Sequence, residues 1–153
     1  MTRGSTLTEP CVPSYASGVL DVPTIAALAR PILVADANVR AAFVFGSVAR
    51  GRANAESDVD VAVVGSGVDV LALGAALGAA LEREVDVVEL GLESPIPLLR
   101  AVLREGCRVY ERTSGAAAAF AAHARSVVEL DGPGYDRMAR AFMTRVARQG
   151  VGG

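Results

Sequence analysis

Apolar residues occur along this chain in two kinds of pattern, which predict a mixture of helices and strands. Segments in which apolar residues return at every third or fourth position predict helices, because this spacing keeps them on one helical face. Short apolar runs bounded by Gly or by polar residues predict buried strands. The predicted helices span residues 22–37, 68–82, 114–130 and 135–149, and a further helix is capped by Ser94, opened by Pro95 and ended by Gly106. The predicted strands span residues 41–45, 58–64, 85–90 and 107–111.

The order of these elements predicts an α/β domain of the α+β type, in which helices flank a small mixed sheet of about four strands. Residues 1–20 mix Gly, Ser, Thr and Pro, and we expect a flexible N-terminal arm there. Residues 21–112 would form the domain itself, and residues 113–153 a C-terminal helical extension of it. Pro31 is expected to kink or break the first helix, and residues 131–134 to separate the last two.

Composition narrows the class of function. The 153 residues are 52% hydrophobic and 21% charged, which suits one packed domain. The net charge of −2 makes direct binding to long nucleic acid unfavourable. No run of about 18 uninterrupted apolar residues occurs, so no membrane span is expected. The two cysteines, Cys11 and Cys107, lie far apart without metal-ligand spacing, which predicts reduced thiols and a cytoplasmic location.

Three aspartates interrupt predicted strands that are otherwise apolar. Asp58 and Asp60 are two residues apart, so their side chains should lie on the same face of one strand. Asp86 lies inside the strand predicted at 85–90. Carboxylates that close together repel each other, and Mg²⁺ cancels that repulsion and prefers oxygen ligands. The pattern therefore predicts a site for two magnesium ions, with Asp86 also the best candidate for a general base.

Gly46 and Ser47 follow the strand predicted at 41–45 and would open a short helix at residues 48–50. Gly allows the backbone to approach a phosphate closely, and Ser adds a hydroxyl donor beside free helical amides. Arg50 would reach a bound triphosphate, although a solvated surface arginine is the more common case. Ser57 would hydrogen-bond either its own loop or a ligand. A phosphate-binding turn beside a metal site predicts nucleotide chemistry.

The spacing of Gly46 and Ser47, then Asp58 and Asp60, then Asp86 resembles the active-site pattern of the polymerase-beta-like nucleotidyltransferases. Over residues 24–112 the chain resembles more closely their minimal members, called MNT. The further segments that carry this second resemblance are Phe45, residues 61–63, residues 85–90 and the stretch from Ser94 to Gly106. MNT antitoxins pair with HEPN-domain ribonuclease toxins and transfer AMP from ATP to a tyrosine of the toxin, which blocks the ribonuclease.

The resemblance implies that this chain is a Mg²⁺-dependent protein adenylyltransferase and antitoxin, with ATP as substrate. In that family pattern Gly46 and Ser47 match the phosphate-holding turn, Asp58 and Asp60 the metal pair, and Asp86 the third carboxylate. Two other functions stay open. One is nucleotidyl transfer to a small-molecule hydroxyl, as in aminoglycoside-modifying relatives, although few residues remain for an acceptor domain. The other is a binding protein that neutralises a toxin by occlusion alone.

Overall fold

Four strands and four helices make up the computed structural model, which describes residues 20–52 and 57–148. The strands are β1 (Val39–Phe45), β2 (Val59–Gly65), β3 (Val85–Leu90) and β4 (Cys107–Glu111). The helices are α1 (Val22–Ala35), α2 (Val70–Leu81), α3 (Ile96–Glu105) and α4 (Ala116–Arg148). The strands form one sheet in the order β3-β2-β1-β4. Strand β1 is antiparallel to β2 and β4, whereas β2 and β3 are parallel. The prediction of a small mixed sheet is confirmed, and the predicted N-terminal arm lies, except for residue 20, outside the described residues.

Each face of the sheet is covered by a pair of helices, because side chains alternate between the faces along each strand. Helices α1 and α2 pack on one face, over a core that includes Leu33, Val61 and Leu77. Helices α3 and α4 pack on the other face, over a core that includes Phe43, Ala62, Leu90, Leu99 and Ala121. We call this second side of the sheet the α3/α4 face.

Arg112, one residue beyond β4, closes the C-terminal end of α1. Its guanidinium donates hydrogen bonds of 2.8–3.3 Å to the carbonyl oxygens of Leu33, Val34, Asp36 and Val39. The last carbonyls of a helix have no partner within the helix, and a cation is favourable beside them. A single side chain therefore ties α1 to the strands on which it packs.

Helix α4 is continuous through residues 131–134, so the predicted break there is wrong. Gly132 is buried where α4 passes α3, and an added Cβ would lie 2.7 Å from Nη2 of Arg100. The guanidinium of Arg100 donates to both carboxylate oxygens of Asp136 at 2.8 and 2.9 Å. These contacts with α3 hold α4 on both sides of Pro133 and outweigh the poor helix propensity of residues 131–134.

Neither internal proline ends its helix, since Pro31 also lies within α1. A proline inside a helix leaves the carbonyl four residues earlier without its partner. Those carbonyls belong to Ala27 and Glu129, which are both at exposed positions where water can hydrate them. The cost of each proline is therefore reduced, and packing of the remaining helix keeps the element intact.

The cysteine prediction is also corrected. Cys107 begins β4 and is disulfide-bonded, whereas the sequence led us to expect reduced thiols. The other cysteine, Cys11, lies outside the described residues. Among the helices that the structure describes, none combines the length and the apolar character needed to cross a membrane.

The ion pair between Arg100 and Asp136 predicts an acid-sensitive attachment of α4. The hydrogen bonds from Arg100 hold the pKa of Asp136 below its usual value. Because the unfolded state then binds this proton more readily than the folded state, the pair stabilises the fold above the unfolded pKa of about 3.9. That stabilisation is lost as the pH falls through the lower folded pKa. We expect Asp136→Asn to lower the melting temperature at pH 7. In acid the melting temperatures of the variant and the wild type should converge.

Thermal unfolding followed by circular dichroism between pH 2.5 and 7 measures this difference. Asp131→Asn is the matched control, because Asp131 is exposed on the same helix, and its melting temperature should follow the wild type throughout. A loss in Asp136→Asn that is the same in acid and at pH 7 would contradict the ion-pair explanation.

Candidate active site

The parallel pairing of β2 and β3 places Asp60 beside Asp86. The two residues are register partners, and partners on adjacent strands point their side chains to the same face of a sheet. Both belong to the α3/α4 face, since Ala62 and Leu90, which share their alternation, lie in the core beneath α3 and α4. Asp58 is exposed and immediately precedes β2. The structure thus brings the three predicted carboxylates to one end of neighbouring strands.

Clustering of the carboxylates makes ionisation of Asp60 less favourable. Its pKa is raised above the usual value, first by burial and then by the negative charges of Asp86 and Asp58. Glu105 raises the pKa further, whereas the guanidinium of Arg50 lowers it. A positive ion among these carboxylates would favour the ionised form of Asp60.

Gly46 directly follows β1 and gives Asp60 the room that it needs. The backbone φ of Gly46 is +80°, in the left-handed region that glycine adopts without strain. A Cβ built on Gly46 would overlap Oδ2 of Asp60. Phe45, the last residue of β1, is the register partner of Asp60, which brings the end of β1 and this carboxylate together. In this structure Gly46 therefore allows close approach to a carboxylate.

Residues 46–52, which we call the 46–52 turn, form hydrogen-bonded turns instead of the predicted short helix. The amide of Arg50 donates to the carbonyl of Gly46 at 3.1 Å, and the amide of Arg52 donates to that of Ser47 at 2.9 Å. Gly51 has a φ of +71° and ends the turn before a helix can extend. A phosphate at Ser47 would consequently meet the amides of one turn, without the dipole of a full helix.

Glu105, the last residue of α3, contacts the site and was missed by the sequence analysis. Its two carboxylate oxygens each accept a hydrogen bond of 3.0 Å from Nη1 of Arg50. Its Oε1 also accepts the backbone N–H of Gly46 at 3.3 Å. Two donors that the sequence assigned to phosphate are therefore engaged by this carboxylate. No sequence signal pointed to it, because Glu105 and Arg50 are 55 residues apart.

Ser57 immediately precedes Asp58 and is partly buried. Within residues 20–52 and 57–148, no group of three or more His, Cys, Asp or Glu side chains is close enough to hold a metal ion as it stands. The chemistry of the donors nevertheless fits magnesium. Asp58, Asp60 and Asp86 offer carboxylate oxygens alone, and the negative charges of Asp86 and Asp58 both act on Asp60.

The family described as "Polymerase beta, Nucleotidyltransferase" matches residues 29–114. This chain belongs to that family. The matched region contains the 46–52 turn, all three aspartates and the sheet that joins them, and the protein is accordingly a nucleotidyltransferase. No curated protein sequence matches the chain.

Solved toxin–antitoxin structures share the fold. A toxin–antitoxin with AMP-PNP contains a chain that is 23% identical, with a TM-score of 0.64 over 81% of this chain and 99% of that one. A chain of the MntA–HepT toxin–antitoxin is 21% identical, with a TM-score of 0.57 over 80% and 96%. A complex of a tri-AMPylated HEPN toxin from Shewanella oneidensis with an MNT antitoxin contains a chain that is 19% identical. Its TM-score is 0.58, over 78% of this chain and 98% of that one. The resemblance to MNT proteins is thus confirmed at the level of the fold.

Replacement of Gly46 by Ala tests whether Asp60 needs the space above the turn. We expect Gly46→Ala to lower the free energy of unfolding by about 2–4 kcal/mol, from a strained positive φ together with overlap on Asp60. Gly51→Ala is the matched control, because Gly51 also has a positive φ but nothing lies within 4 Å of an added Cβ. It should lose about 1–2 kcal/mol, from backbone strain alone.

Urea denaturation of the two variants and the wild type gives the difference directly. Equal losses for Gly46→Ala and Gly51→Ala would show that Asp60 does not require the absence of a side chain at residue 46.

Proposed function

We propose that this protein transfers AMP from ATP to a tyrosine hydroxyl of a HEPN-domain ribonuclease toxin and thereby acts as its antitoxin. The observation that carries the proposal is the pairing of Asp60 with Asp86 on one face of the sheet, with Asp58 at the start of the same strand. The fold shared with the MNT antitoxins supports the choice of reaction. The reaction would take place in the cytoplasm, where ATP is supplied.

Three carboxylates would hold the metal. Asp58, Asp60 and Asp86 would all be ligands of bound magnesium, through their carboxylate oxygens. When bound, magnesium would offset the negative charge that develops on the entering and leaving oxygens of a phosphoryl transfer. The surroundings of Asp60 support this assignment, because this carboxylate is partly buried beside Asp86 and Asp58 and a cation would compensate their combined charge.

The remaining residues of the site would bind and orient ATP. Ser47 would donate its hydroxyl to a phosphate oxygen, and Gly46 would keep the turn close to Asp60. Arg50 would add positive charge on the triphosphate side, and Ser57 would hydrogen-bond its own loop or the nucleotide. These assignments are supported by the surroundings of each residue. Gly46 lies against Asp60, and Ser47 directly follows Gly46. Arg50 is close enough to lower the pKa of Asp60, and Ser57 directly precedes Asp58.

In the proposed reaction, the tyrosine oxygen attacks the α-phosphorus of ATP, and Asp86 accepts the hydroxyl proton. A bond forms between the tyrosine oxygen and the α-phosphorus. The bond from that phosphorus to the oxygen bridging to the β-phosphorus breaks, and pyrophosphate leaves with the electron pair. The products are a tyrosine carrying AMP, pyrophosphate and a proton held at Asp86.

Helix α4 offers a surface for the toxin on the same side of the sheet as the aspartates. From residue 130 onwards it exposes large apolar side chains, among them Leu130, Met138, Phe142 and Met143. It also exposes four arginines, at positions 137, 140, 145 and 148. A second copy of the chain would bring these like charges together, whereas a partner with an apolar patch and acidic surroundings would complement them. We therefore propose the toxin as the occupant of this surface.

Substitution of Asp58 and Asp60 distinguishes AMP transfer from neutralisation of the toxin by binding alone. We expect the double variant Asp58→Asn/Asp60→Asn to fold but to lose AMP transfer by at least 100-fold, taking about 3 kcal/mol as the smallest contribution of bound metal. Mass spectrometry of the HEPN partner after incubation with ATP and magnesium measures transfer. A double variant that still protects cells from the toxin as well as the wild type would establish neutralisation by binding.

Two further variants sharpen this experiment. Asp86→Asn should bind ATP within about threefold of the wild type while turnover falls about 10²–10⁴-fold, because it removes the proton acceptor. Asp36→Asn is the matched control, since Asp36 lies at the end of α1 and an asparagine oxygen can still accept from the amide of Asn38. Wild-type turnover in Asp86→Asn would refute its assigned role.

Substitutions on α4 test the docking surface. Met138 and Phe142 are 73% and 57% exposed, so changing either to Ser should leave stability unchanged. We expect each change to weaken binding of the HEPN partner about tenfold or more, as loss of an apolar anchor costs more than about 1 kcal/mol. Leu28→Ser is the control, because Leu28 is exposed on α1, on the other face of the sheet.

Isothermal titration calorimetry with the purified partner gives the affinities. If Met138→Ser and Phe142→Ser bind the partner as tightly as Leu28→Ser does, the docking surface lies elsewhere.

A further inference from the structure

Glu105 holds the 46–52 turn at two points. Its carboxylate accepts the backbone N–H of Gly46, the first residue of the turn, and both of its oxygens accept from Nη1 of Arg50. Arg50 is itself linked to Gly46 by a backbone hydrogen bond of 3.1 Å. The three residues therefore close a ring of contacts, and the turn cannot open without breaking a bond to Glu105.

The carboxylate of Glu105 is held in place by helix α3, which is packed in the core. Glu105 is the last residue of α3, whose residues Ile96, Leu99 and Val102 are buried in the core of the α3/α4 face. Its side chain is 18% exposed, whereas that of Arg50 is 45% exposed. Partial shielding from water makes such a contact stronger than a pair on the open surface. The turn is thus held by the more buried of the two partners.

The charge of Glu105 also determines where Arg50 lies. Glu105 accepts from both Gly46 and Arg50, and Gly46 lies directly against the carboxylate of Asp60, so the ion pair is next to that carboxylate. Without Glu105, the guanidinium of Arg50 would be attracted to the unbalanced charge of Asp60. The side chain would leave α3, and the backbone of the turn would lose its second support.

We infer that Glu105 is a positioning residue for the nucleotide site. It acts through Gly46 and Arg50, without touching substrate, and keeps Ser47 at a fixed place beside Asp60. Its effect on ATP rests on the proposed function, whereas its effect on the turn does not. The phosphate-binding turn is then supported by a residue of α3 that is 55 residues from Arg50 in the chain.

A series at residue 105 tests this role. Glu105→Gln keeps an oxygen that can accept from Gly46 and Arg50 but removes the charge, and Glu105→Ala removes both. We expect KM for ATP to rise about threefold in Glu105→Gln and tenfold or more in Glu105→Ala, with kcat changed less than threefold. Hydrogen exchange at the amides of residues 46–52 should accelerate in the same order, in protein without nucleotide.

Asp136→Asn is the matched control, because it breaks the other ion pair of α3 at a distance from the turn. It should leave both KM for ATP and exchange at residues 46–52 at wild-type values. The inference is overturned if Glu105→Ala exchanges at residues 46–52 like the wild type, or if Glu105→Gln is no better than Glu105→Ala. A wild-type protein that transfers no AMP would instead refute the proposed function, while the exchange series would still decide the role of Glu105.

Discussion

The register between β2 and β3 forces Asp60 and Asp86 to stand side by side, and this repulsive contact organises the site. The register is set by apolar packing, since Val61 and Val63 enter one core while Ala62 enters the other. A slip of one residue would exchange the two sets between faces, at a cost far above that of the repulsion. The hydrophobic effect thus holds together two charges that would otherwise separate, and burial of Asp60 adds to the penalty.

The groups around Asp60 make the site more negatively charged. Glu105 adds a fourth carboxylate, and its ion pair with Arg50 offsets positive charge beside Asp60. A triphosphate carries several negative charges, so it would be repelled from this end of the sheet by itself. Bound cations would reverse the sign of the local field. Nucleotide and magnesium should therefore depend on each other for binding, which is the behaviour expected of a site that becomes competent only with its complete set of ligands.

Local sequence patterns predicted the strands and the position of the aspartates well, because alternation along a strand is a local property. The four strands lie within two residues of their predicted bounds, and Asp60 and Asp86 share a face. The errors arose where a distant residue decides the local structure. Helix α4 passes through Gly132 and Pro133 because Arg100 binds Asp136, and the role of Glu105 depends on a contact 55 residues away. No pattern within a short window contains that information.

Helix α3 connects these long-range contacts. Arg100, near its middle, holds α4, and Glu105, at its end, holds the 46–52 turn. The two residues are separated by about one and a half helical turns, roughly 7–8 Å along the axis. The buried residues of α3, namely Ile96, Leu99 and Val102, anchor the helix to the sheet. A partner bound on α4 and a nucleotide bound at the 46–52 turn would consequently both be positioned by contacts with α3. Transfer requires the acceptor oxygen and the α-phosphorus to be well aligned, because a misplacement of about 1 Å can cost about 100-fold in rate. One short helix that fixes both supports is the simplest structural means of meeting that requirement.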